Sequence, residues 1–125
     1  MAKITGIGGI FFKAAQPEKL KEWYKDNLGI DVGEFGANFH WGEDDSKSGS
    51  TVWNIFDKNS NYTEPSENNF VINYRVDNLD EFLSELKMRR VMQYGDVQEY
   101  ETGKFAWVLD PYGNKIELWE PSEGQ

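Results

Sequence analysis

The chain has no cysteine and only one histidine, His40. Without thiols there is no disulfide, no thiolate metal site and no cysteine nucleophile. A lone imidazole lacks the companions that a metal site needs, and no residue pattern supplies His40 with a nucleophile. No apolar run approaches membrane-spanning length. The N-terminal MAKITGIGG also lacks the apolar core of a secretion signal, so a cytoplasmic location is expected. Basic residues are the minority, 13 Lys and Arg against 22 Asp and Glu, a net charge of −9. Such a surface repels nucleic-acid phosphates and anionic membranes, so neither is an expected partner, and a neutral or cationic small molecule suits it better.

Large rings are plentiful instead. Aromatic residues make up 15% of the chain, with Trp23, Trp41, Trp53, Trp107 and Trp119 spread along it. That load implies a dense core or a lined cavity. A chain of 125 residues is expected to form one domain, 1–125, and to bury roughly two-thirds of its unfolded surface without a metal staple.

The pattern along the chain runs twice through one order of elements. Ile4 to Lys13 reads as a strand, with its glycines marking a bend or close backbone approach. Pro17 opens a helix whose buried stripe is Leu20, Trp23, Tyr24, Asn27 and Leu28, and Gly29 stops it. Short strands are expected over 30–35, 37–41 and 51–57, with a polar hairpin tip at 42–50 that can serve as a flap. Residues 58–68 lack periodicity and read as a surface linker. The order then restarts with a strand over 70–76 and a helix capped by Asn78 that carries Leu79, Phe82, Leu83 and Leu86. An edge strand over 91–100, a strand over 103–110 and a final strand after the turn Asp110-Pro-Tyr-Gly-Asn follow, ending in a frayed tail from Pro121. GSTVWNIF overlays GNKIELW, so Trp53 matches Glu117. The fold class is α+β, two βαβββ modules over 1–57 and 69–121 joined by the linker.

The repeated order, the helix ending EWYKDNLGI and the closing DPYGNKIELWEP together resemble the vicinal oxygen chelate superfamily, which includes glyoxalase I, extradiol dioxygenases, fosfomycin-resistance enzymes and bleomycin-binding proteins. The resemblance covers essentially the whole chain. It implies curved mixed sheets around a cup-shaped cavity. In the metal-dependent members the ligands are His or Glu on the first and last strand of each module, places that fall here on Gly9, Trp53, Val71 and Glu117. Only Glu117 can bind a metal, so the residues argue against a metal site and no cofactor is expected.

If Gly9 and Glu117 face the cup, alternation brings Phe11, Lys13, Thr51, Trp53, Ile55, Asn73, Arg75, Lys115 and Trp119 to the same side. Ile10, Phe12, Val52, Phe56, Ile72, Tyr74, Ile116 and Leu118 then pack under the helices. The expected ligand-binding residues are Phe11, Trp53, Asn73, Arg75, Trp107, Glu117 and Trp119, with His40 at the rim. Glu117 either holds a ligand or is neutralised by Arg75 or Lys115. Two functions fit: a metal-free binding protein for an aromatic or cationic molecule, similar to the bleomycin-binding members, and a glyoxalase-like lyase or isomerase using Glu117 as base or in an unusual metal site. The resemblance also implies a homodimer, because a second chain generally completes the open cup.

Overall fold

A computed structural model describes residues 2–42 and 49–125. The expected hairpin flap falls mostly on residues 43–48, outside the described residues. The elements in order are β1 (Ile4–Ala14), α1 (Pro17–Leu28), β2 (Ala37–His40), β3 (Ser50–Asp57), β4 (Phe70–Val76), α2 (Leu79–Met88), β5 (Met92–Gln93), β6 (Gln98–Tyr100), β7 (Gly103–Leu109) and β8 (Lys115–Pro121). They form an α+β fold with a curved, unclosed eight-stranded sheet in the order β2-β3-β1-β4-β8-β7-β5, β6 pairing with β7. The two repeats meet within one chain through the antiparallel pairing of β1 with β4.

Several boundaries follow from local chemistry. Gly29, at φ 69°, ends α1 in the left-handed conformation that glycine adopts most readily. The Asn78 side chain accepts a hydrogen bond from the Glu81 backbone N–H at 3.1 Å and caps α2. In the turn before β8, Asp110 accepts bonds from the backbone N–H groups of Tyr112 and Asn114, both at 2.9 Å. These bonds hold the Asp110 carboxyl below its ordinary value, the Asn114 side-chain bond contributing most.

Other expectations are corrected. The strand expected over 30–35 is reduced to a bridge between Gly33 and Gly36. The edge strand expected over 91–100 is broken into β5 and β6, with Gly95 at φ 76° between them. Residues 58–68 are more than a surface linker, because Thr63 is buried and Tyr62 packs edge-on against Phe11 and Phe56. The tail is not frayed: Pro121 belongs to β8, and the Ser122 N–H donates to the Thr102 carbonyl at 3.0 Å.

The repeats also pack unequally. The second builds the core, where Val76, Leu79, Ala106, Val108 and Leu118 are buried with Phe82, Leu83 and Leu86 against them. The stripe of α1 is looser than its spacing predicts, Trp23 being 51% and Leu28 60% exposed. No helix among the described residues is long and apolar enough to cross a membrane.

Candidate functional site

Sheet register decides which side chains share the cup. Residues paired across neighbouring strands point to the same face. Glu117 on β8 pairs with Asn73 on β4 and Trp107 on β7, and Asn73 pairs with Gly9 on β1, which pairs with Val52 on β3. The four counterpart places are therefore Gly9, Val52, Asn73 and Glu117. Val71 lies on the same face as Asn73 but two residues further along, opposite Phe11.

Trp53 is the main correction. It pairs with Ile10 and packs edge-on against Phe12 and Tyr24 at 5.7 and 5.0 Å between ring centroids, on the side facing α1. Ile55 is buried, and the Thr51 hydroxyl donates to the Ile7 carbonyl at 2.6 Å. The cup side of β3 instead carries Ser50, Val52 and Phe56, the last stacked on Phe11 at 5.7 Å. The sequence overlay matched the turns before β3 and β8, but the pairing of β3 with β1 sets its phase, one residue away.

The cup holds a cavity of about 310 Å³ lined by Gly8, Phe11, Asn38, Ser50, Val52, Asn73, Thr102, Phe105, Glu117, Trp119 and Gln125. Of the expected site residues, Phe11, Asn73, Glu117 and Trp119 meet there. Trp107 lines an adjoining cavity of about 390 Å³ with Tyr62, Tyr94, Tyr100 and Lys115, and its ring nitrogen reaches back to Glu117. Arg75 is buried beside the cup. Its guanidinium lies between the rings of Trp41 and Trp119, 5.1 and 4.8 Å from their centroids. It donates to the Ser50 and Gln125 carbonyls at 3.3 and 2.8 Å. His40 is exposed at the end of β2 and does not line the cavity.

Phe105 was missed, although alternation along GKFAWVL puts it in phase with Trp107. It stacks on Trp119 at 5.8 Å with planes 6° apart. Gly8 was missed because a β-bulge, an extra residue between Ile7 and Gly9, also brings it onto the cup wall.

Glu117 is 4% exposed. Its Oε1 accepts from Asn73 Nδ2 at 2.6 Å, and its Oε2 accepts from Trp107 Nε1 at 2.9 Å. Neither expected neutraliser reaches it. Arg75 is engaged as described, and Lys115 donates to the Tyr62 carbonyl at 2.5 Å among the rings of Tyr62, Tyr94 and Trp107. Glu117 has no ion pair among the described residues. Burial without a counter-charge pushes its pKa up to about 8. Burial lowers the pKa of both Arg75 and Lys115, an effect Glu64 partly opposes at Lys115.

The donor set does not fit a metal. A hydrogen atom, an isopropyl group, a carboxamide and one carboxyl occupy the four counterpart places, and among the described residues no three His, Cys, Asp or Glu could hold an ion together. What the arrangement offers is one buried acid in an aromatic wall.

No family model matches the sequence, and no curated protein matches it. Solved structures do match the fold. A Streptomyces coelicolor methylmalonyl-CoA epimerase variant bound to 2-nitronate-propionyl-CoA is 13% identical, covers 96% of this chain and 99% of its own, and superposes with a TM-score of 0.72. The Mycobacterium tuberculosis methylmalonyl-CoA epimerase is 17% identical, with coverages of 95% and 89% and a TM-score of 0.63. A Legionella pneumophila structure described as an NAD-dependent benzaldehyde dehydrogenase is also 17% identical, with coverages of 91% and 98% and a TM-score of 0.61. The chain thus has the vicinal oxygen chelate fold. At these identities, and with such different names, the likeness carries the fold and not an activity.

Proposed function

We propose that this chain is a metal-free small-molecule-binding protein, similar in kind to the bleomycin-binding proteins of this fold, that holds an aromatic or cationic organic ligand in its cup. One observation carries the reading: Glu117 is buried in an aromatic wall with two neutral donors and no cation from any described residue. A buried carboxyl without a counter-charge is costly to ionise. A ligand ammonium or amidinium supplies that charge, while Phe11, Phe105 and Trp119 supply ring surface for its apolar part. Sequestration or resistance is the role proposed for such binding, since neither needs a chemical step.

Binding a cation here requires Glu117 to ionise and so releases a proton. With a free-state pKa of about 8, affinity rises about tenfold per pH unit up to that value and levels off above it. Calorimetric titration with benzamidinium, which keeps its charge over this range, is expected to show that rise. Glu117→Gln should abolish both the pH dependence and most of the binding; unchanged affinity would refute the role of Glu117.

A lyase or isomerase is the second reading. The epimerase neighbours favour it, as does an acid whose pKa lies near neutrality, where proton transfer is most efficient. Glu117 is the one titratable side chain among the described residues lining the cup, so this chemistry would use a single base. Solvent deuterium entering methylmalonyl-CoA with the wild type and not with Glu117→Gln would establish this reading over the first. The purified protein is expected to carry no stoichiometric metal and to keep its melting temperature in EDTA. Bound metal, lost together with activity on chelation, would point to a metal-assisted form of the second reading.

A homodimer belongs to the proposal, because the sheet is unclosed and Phe39 and Trp41 stand 47% and 44% exposed beside its β2 edge. Sedimentation should give twice the chain mass at micromolar concentration, and a monomer there would overturn it.

A further inference from the structure

We infer that the cavity beside the cup is a second binding site, in which Lys115 takes the carboxylate of an aromatic acid. Lys115 lies on β8 two residues before Glu117 and on the same face, paired with Leu109. It is 7% exposed and lines the cavity of about 390 Å³. An ammonium has three N–H donors. One is used on the Tyr62 carbonyl, and among the described residues Lys115 has no other hydrogen-bond acceptor and no ion pair. The rings of Tyr62, Tyr94 and Trp107, with centroids 4.8, 5.3 and 5.7 Å from Nζ, attract the charge but leave the other N–H groups without an oxygen. A buried charge in that state calls for a partner.

The wall of this cavity is held by contacts of its own. Tyr62 packs edge-on against Phe11 and Phe56, and the Tyr94 backbone N–H donates to the Trp107 carbonyl at 2.8 Å. Tyr94 and Tyr100 also line the cavity and stand 40% and 59% exposed, so they offer ring surface to the planar, apolar part of a ligand.

Two carboxylates, Glu64 and Asp96, line the same cavity, and both are exposed. Water screens them, as it screens the net charge of −9, whereas contact with a desolvated ammonium is direct. One ammonium balances one negative charge, so a carboxylate monoanion fits and a phosphate dianion does not. This site takes charge of the opposite sign to the cup and is independent of the ligand proposed there.

The test is an NMR titration of the isotope-labelled protein with benzoate and with benzamide, its neutral counterpart, at pH 6.5. Benzoate is ionised there, while Glu117, with its pKa of about 8, is protonated and the cup does not repel the probe. Benzoate should bind about tenfold or more tighter than benzamide, and should shift the Gly95 amide on this cavity rather than the Gly8 amide in the cup. Lys115→Met should lose that preference. Glu64→Gln, which removes a competing negative charge, should strengthen benzoate binding. Equal affinities in the wild type, an undiminished preference in Lys115→Met, weaker binding by Glu64→Gln or a shift confined to Gly8 would overturn the inference. If Lys115→Met does not fold, the wild-type comparison and the Gly95 shift decide.

Discussion

The Glu117→Gln variant should be more stable than the wild type above pH 8 and should lose most of the pH dependence of unfolding between pH 4.5 and 8. The Glu117 pKa is raised from 4.5 to about 8 by burial, so in that window the native state holds a proton that the unfolded state has released. Its contribution is complete below the unfolded value and is lost as pH rises through the folded one, with a slope of about 1.4 kcal/mol per pH unit. Glutamine reproduces the neutral acid. Its carbonyl can accept from Trp107, and its amide can donate to Asn73 once the Asn73 amide turns over. Urea unfolding of both proteins at pH 5, 7 and 9 measures the effect. Parallel curves would mean that Glu117 keeps an ordinary pKa and is solvated or paired in solution. The same substitution weakens cation binding, so one residue is expected to trade stability for function.

Leu79→Ala is expected to cost about 2–5 kcal/mol, and Leu20→Ala about 1 kcal/mol or less. Both leucines sit on the apolar stripe of the helix that follows the first strand of a repeat. Leu79, however, is 0% exposed within the core cluster, whereas Leu20 is only half-buried on a helix whose one buried residue is Lys21. Truncation at Leu79 leaves a cavity that packed neighbours cannot close; truncation at Leu20 exposes a site that water already reaches. Equal losses at the two positions would show that the first helix is covered in solution, as a second chain seated on Trp23 and Leu28 would cover it.

Residue chemistry made the organisation of the fold legible. Gly29 and Asn78 marked helix ends because left-handed backbone and an orphan N–H each call for a particular residue type, and both were observed as expected. The alternation in KIELWE placed Glu117 opposite the apolar Ile116 and Leu118, and β8 keeps that phase.

The phase of β3 was not readable in the same way. TVWNIFD is apolar or aromatic on both faces, so alternation cannot say which face is buried; pairing of Val52 with Gly9 decides it and sends Trp53 under α1. The bulge was legible only in part: the glycines of β1 marked a bend but not which residue is extra, and the one before Gly9 turned Ile7 to the helix side with Ile10 and brought Gly8 onto the cup.

Glu117 shows the division most clearly. Sequence alone determined that one carboxylate stands at mid-strand, on the face opposite Ile116 and Leu118. Its state was decided by tertiary structure, which drew Arg75 between two indole rings and Lys115 among tyrosines, left neutral Asn73 and Trp107 at the acid, and took water away. The physical reason is range: residue type and spacing act along the chain, whereas desolvation and the choice of partner depend on strands brought together from distant parts of it.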